Sequence, residues 1–167
     1  MAALARYTQY ASSEFAVRWF IINHEERMMK QMYAWSKDEN ECIRRLASEG
    51  CRPALPWGQA LTGFKKDPAP ILPILRQLKA DPSLHVRKSV ANNLNDISKT
   101  HPDLVMELAK DWYGKNAYTD WIVKHGCRTC LKRAAVRYWP SLAMSARLQW
   151  RFRISDWGKQ LFRLGRM

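Results

Sequence analysis

The residue types best suited to chemistry stand in DPSLHVRKSVANNLNDIS, residues 81–98. Val86, Val90, Leu94 and Ile97 recur at steps of four, four and three and form one helical stripe. Ser89, Asn92, Asn93, Asn95 and Asp96 fall outside it. Asn and Asp are poor helix-interior residues because their side chains compete for backbone hydrogen bonds. Asp96 also stands near the C-terminal end of this helix, where the macrodipole disfavours negative charge. A carboxylate so placed offers a general base, or an anion that stabilises a developing cation. The stretch alone leaves two readings open: a working polar face, or a solvated one with internal Asn hydrogen bonds.

The elements that must position these groups are helices. The 167 residues make one ordinary domain with room for a real core. Ser12-Ser13-Glu14 opens a helix through Ile22, and His24 to Lys37 forms a second with Met28, Met29, Met32 and Tyr33 on its packing side. Glu39 to Glu49 forms a third, stopped at Gly50. Pro53 and Pro56 make Cys51 to Leu61 a loop. Helices follow over 69–79, 81–98, 101–112 and 119–132, and no strand pattern is present.

An apolar residue followed by a basic one opens similar short helices: Val17-Arg18, Ile43-Arg44, Val86-Arg87 and Val123-Lys124. Paired helices at a period of roughly 35–45 residues mark a HEAT-like α-solenoid, so the expected fold is all-α. In such a fold the second helix of each pair lines the concave face. Glu14, Glu49 and Asp96 then face one groove.

Charge points to the partner. Lys and Arg number 28 against 15 Asp and Glu, a net charge of +13 with a pI near 9.9. This balance suggests a polyanion, most often nucleic acid. Arg44, Arg45, Arg87, Lys88, Lys124, Arg128 and Lys132 recur on the second helices, as phosphate-positioning residues would. No apolar run approaches the roughly 18 residues that span a bilayer, and no signal-peptide pattern opens the chain. The expected setting is cytoplasmic and nucleoid-associated, with reduced thiols. Cys127 and Cys130 form a Cys-x-x-Cys without a second pair at zinc-finger spacing, and both read as small core groups.

The blocks ASSEFAVRWF, IRRLASEGCRPALPWG, DPSLHVRKSVANNLNDISKTHPDL and WIVKHGCRTCLK resemble, in this order, the HEAT-like DNA glycosylases of the AlkC/AlkD superfamily, nearest to the AlkC branch. The resemblance covers residues 12–132. It implies a curved helical array with a basic concave face, acting as a monomer on double-stranded DNA that contains alkylated bases. The implied reaction excises cationic bases of the 3-methyladenine type and involves no cofactor and no metal. Carried over by position, Asp96, Glu49 and Glu14 are the acidic active-site residues, and Trp57 lies against the lesion. Arg18, Arg45, Arg52, Arg87, Lys88, Lys124, His125 and Arg128 are implied to contact DNA or support the site.

The chemistry fits these residue types. Alkylation at N3 leaves the base cationic and its glycosidic bond weakened, so little acid assistance is needed. A carboxylate then stabilises the oxocarbenium-like sugar and activates water. An indole attracts a cationic base through its π face. Each assignment has a plainer counterpart: Glu14 pairing with Arg18 at i,i+4, Glu49 as a solvated helix end, and Trp57 as a loop anchor packed on the core.

Residues 1–133 are thus expected to form the repeats, with the family's first helices missing. Residues 134–167 hold six Arg, one Lys, one Asp and three Trp without repeat periodicity. That tail reads as an altered or truncated frame, or as a basic, aromatic DNA-binding segment with an amphipathic helix over 148–164. A shortened array leaves open a non-catalytic binding module or an inactive fragment.

Overall fold

The computed structural model describes residues 1–133, and the readings placed on the tail lie outside the described residues. Those residues are all helical: α1 (Ala2–Tyr7), α2 (Ala16–Asn23), α3 (Glu25–Trp35), α4 (Glu41–Gly50), α5 (Thr62–Lys66), α6 (Leu72–Leu78), α7 (Leu84–Ile97), α8 (Pro102–Trp112) and α9 (Ala117–Gly126). A 3₁₀ turn at Ala69–Ile71 leads into α6. The prolines at 68, 70 and 73 account for this division, since only first-turn positions tolerate them without losing a helical hydrogen bond. The helix expected over 119–132 breaks at Cys127 and resumes from 128 to 133.

The helices stack as pairs. α3 packs on α4, α6 on α7 and α8 on α9, while α7 lies between α4 and α9. Second helices therefore form one layer. The repeated apolar positions Val17, Ile43, Val86 and Val123 are all buried. Each such side chain contributes about 1.5–3 kcal/mol relative to exposure. Met28, Met32, Leu46, Ile74, Leu75 and Leu94 complete the core between layers.

Two glycines set how closely second helices approach. A Cβ on Gly50 would lie 2.4 Å from Val17 Cγ2, and one on Gly126 would lie 3.0 Å from Leu94 Cβ. The first lets α2 press on α4 and the second lets α9 press on α7.

The recurring arginines close the turns between paired helices. Arg44 Nη1 donates to the carbonyls of Asp38 and Glu39 at 2.9 and 2.7 Å. Arg87 Nη1 does the same to Asp81 and Pro82 at 2.9 and 2.6 Å. Arg44 also reaches into the next repeat, donating to both carboxylate oxygens of Asp81 at 2.7 and 3.2 Å. Asp81 in turn accepts from the Ser83 amide at 2.8 Å, and Ser83 caps α7. Arg87, expected to contact DNA or support the site, uses Nη1 on these turn carbonyls, and its guanidinium lies over the Tyr118 ring at 4.2 Å.

Candidate active site

Glu49 ends α4, Asp96 ends α7, and Arg52 begins the loop between α4 and α5. These three meet. Arg52 donates from Nη1 to Glu49 Oε1 at 2.6 Å, and from Nε and Nη2 to Asp96 Oδ2 at 2.9 and 2.8 Å. The side chains of Glu49, Arg52 and Asp96 are 7%, 9% and 2% exposed. Burial works against the Arg52 cation, but the charges of Glu49 and Asp96 and their hydrogen bonds outweigh it, holding its pKa above the ordinary arginine value. Arg52 thus bridges the two acids, the site-supporting alternative of its sequence reading.

The polar face of α7 divides by burial. Asn93, fully buried, donates to the Ser48 carbonyl at 2.8 Å and so ties α7 to α4. Asn95 accepts from Thr129 at 2.8 Å. Half-buried Asn92 accepts from Arg128 at 3.1 Å. The Asn residues thus serve helix-to-helix bonding, and Asp96 alone of this face enters the acidic cluster.

Glu14 joins a neighbouring pair. It accepts from Arg45 at 2.7 Å and from Ser12, and it does not pair with Arg18. Arg45 stands four residues before Glu49, so Glu14 reaches the same side of α4 one turn away. Arg45, expected to contact DNA, makes this contact through Nη1 with 20% of its side chain exposed.

Arg18, expected to contact DNA or support the site, is buried, with only 2% of it exposed. Its Nη1 donates to the carbonyls of Gly50 and Arg52 at 3.1 and 2.9 Å, and its Nε to that of Gln59 at 2.5 Å. Burial is the main influence lowering its pKa, with Arg52 adding to it. A buried guanidinium bonded to both ends of the 50–59 loop fixes that loop. The motif Val-Arg gave no hint of this, because a sequence shows where a charge stands and not what it faces.

At the tip of the loop, Leu55 to Gly58 make a turn closed by Gly58 N donating to Leu55 O at 3.1 Å. Pro56 occupies the second position and Trp57 the third, at φ +63°. These are the features of a type II turn, whose third position ordinarily takes glycine. Trp57 is 100% exposed, so it is no core anchor. A large side chain in a strained conformation, touching no core, is displayed outward.

Lys88, Lys124, His125 and Arg128 are exposed. The His125 ring stacks on Trp121 at 3.8 Å, with Nδ1 2.7 Å from the Trp121 carbonyl. Cys127 is buried and Cys130 half-buried; burial pushes the Cys127 thiol up to about 12. A cleft of about 250 Å³ bordered by Ile21, Gln59, Leu61 and Phe64 contains none of the three acids. The acids are thus apart from that cleft.

Stacked helical pairs, each packed on its neighbours, are the architecture of HEAT-like solenoids. The chain belongs to the family described as DNA alkylation repair enzymes, whose model matches residues 11–138. It is similar to the Pseudomonas fluorescens alkylpurine DNA glycosylase AlkC, solved bound to DNA containing an abasic site analog, with 50% identity and a TM-score of 0.77 over 78% of this chain. It is also 59% identical over 131 residues to uncharacterized protein YhaZ of Bacillus subtilis (strain 168), covering 78% of this chain. The chain spans 37% of the length of each of these proteins.

Proposed function

We propose that this chain excises cationic N-alkylated bases of the 3-methyladenine type from double-stranded DNA by hydrolysing the N-glycosidic bond. The observation that carries this reading is the joining of Glu49 and Asp96 through Arg52, in the same loop segment that displays Trp57. An alkylated purine departs as a neutral base, taking the bonding electron pair and leaving positive charge on the sugar. Asp96 stabilises that charge, and water completes C1′ while its proton passes to a carboxylate. Arg52 fixes the orientation of Asp96, and Glu49 balances Arg52. Glu14 supports the same face of α4. Trp57 attracts the cationic base through its ring, an effect worth about 0.5–2 kcal/mol. Exposed Lys88, Lys124, His125 and Arg128 supply contacts to the duplex backbone, which position DNA without reading its sequence.

The test is release of free 3-methyladenine from methylated duplex DNA by the chain and by Asp96→Asn and Glu49→Gln variants. Both substitutions should abolish most of the release. Release that survives both would defeat the assignment of these acids, and duplex binding without release would favour a non-catalytic module.

A further inference from the structure

The acceptors that bond Arg18 are all main-chain carbonyls. Nη1 donates to Gly50 and Arg52 at 3.1 and 2.9 Å, and Nε donates to Gln59 at 2.5 Å. No carboxylate among the described residues bonds this buried guanidinium. A cation buried on carbonyls alone is costly, so it is a poor device for stability by itself. What such a group does control is the position of its acceptors. They lie at the start and the end of the 50–59 loop, and the chain between them carries both Arg52 and Trp57. Carbon packing adds a further contact. A Cβ on Gly58 would lie 3.3 Å from Arg18 Cδ, so the residue after Trp57 rests on the Arg18 stem.

Two working parts of the loop thus share one support. The Arg52 carbonyl is held by Arg18, while its guanidinium bridges Glu49 at 2.6 Å and Asp96 at 2.8 Å. Exposed Trp57 is followed by Gly58 and Gln59, both set against Arg18. A planar fork suits this task because its N–H groups point in fixed directions, whereas a lysine ammonium is a single point. We propose that Arg18 is the positioning residue of the site: through the loop main chain it sets the Arg52 bridge and the Trp57 ring relative to each other. It acts through those residues and touches neither DNA nor the reacting atoms. This inference rests on the reading of Glu49, Asp96 and Trp57 as the excision site. The competing support for the loop is apolar, through buried Leu55 and Leu61.

The experiment compares Arg18→Lys, Arg18→Met and Gly58→Ala with the parent. It measures single-turnover release of 3-methyladenine at saturating methylated duplex, affinity for undamaged duplex against salt, and chymotryptic cleavage of the Trp57–Gly58 bond. Arg18→Lys keeps the charge without the fork and should slow release about tenfold. Arg18→Met should slow it further, with affinity within about twofold of the parent's and the salt slope unchanged, since no phosphate contact is lost. Cleavage after Trp57 should rise about tenfold in both, because the loop opens locally while the rest stays folded. Gly58→Ala retains Arg18 but presses on its stem and on Leu55, 3.2 Å away, and should slow release several-fold. Parental release in a folded Arg18→Lys overturns the proposal and assigns the loop to its leucines. Unchanged cleavage after Trp57 in both arginine variants does the same. Where neither of these folds, parental release in Gly58→Ala overturns it. A salt slope lowered by about 0.9 in Arg18→Met also overturns it, because that marks a phosphate contact. A parent that releases no base sinks the excision reading, and faster cleavage in the arginine variants then leaves the clamp standing.

Discussion

Trp57 separates stability from function in a way that can be measured. Its indole is 100% exposed, so truncation to Ala removes no buried apolar area and forfeits no burial energy. The backbone at φ +63° is unchanged by that truncation, because Ala meets the same Cβ crowding there. Trp57→Ala should therefore leave the unfolding free energy within about 0.5 kcal/mol of the parent. Trp57→Gly removes the Cβ, relieving about 1–2 kcal/mol of left-handed strain. Against this, glycine adds about 0.5–1 kcal/mol of unfolded-chain entropy. The net expectation is neutrality to a gain of about 1 kcal/mol. Both variants lose the ring, and a cation–π contact of about 0.5–2 kcal/mol corresponds to roughly 2- to 30-fold slower release of a cationic base. Urea denaturation measures the first quantity and single-turnover release of 3-methyladenine the second. The reasoning fails if Trp57→Ala destabilises by more than about 1 kcal/mol, which would mean that the ring is packed. It fails equally if both variants release base at the parental rate.

Arg52→Met leaves two buried carboxylates facing each other without their cation and should cost about 3–5 kcal/mol in chemical denaturation; a loss under 1 kcal/mol would mean that the pair is well solvated. Gly50→Ala puts a methyl 2.4 Å from Val17 Cγ2 and should destabilise by about 1–3 kcal/mol, with part of the loss recovered when Val17→Ala is added. Burial pushes the Cys51 and Cys127 thiols from 9.0 up to about 12, so their contribution to stability is intact below pH 9 and is lost as pH rises toward 12. Denaturation midpoints of Cys51→Ala and Cys127→Ala should fall less steeply than the parent's across that window, and equal slopes would refute the assignment.

Much of the fold is legible because burial follows period. Val86, Val90, Leu94 and Ile97 sit inside as their spacing predicts. α5 is the exception: Thr62–Lys66 is too short to show a helical stripe, and its place depends on Phe64 entering the core. The site is legible in part. Resemblance located Glu49 and Asp96, whose contact spans 47 positions of sequence through a third residue. The basic residues divide by something no pattern displays. Arg18 and Lys124 follow the same apolar residue in their repeats, yet one bonds three carbonyls inside the protein and the other faces solvent. Asn93 and Asn95 are similar cases, since a polar helix face looks alike whether it meets water or the neighbouring helix.

The guanidinium joining Glu49 to Asp96 has a mechanical consequence. It crosses the seam between two stacked units, and a planar group of fixed reach resists shear there. Solenoids deform like springs, by small rotations at successive seams. Here the junction bearing Glu49 and Asp96 is the stiff one. Bending around a long polymer would then concentrate at adjoining junctions, leaving the acids in register while the rest of the coil adjusts.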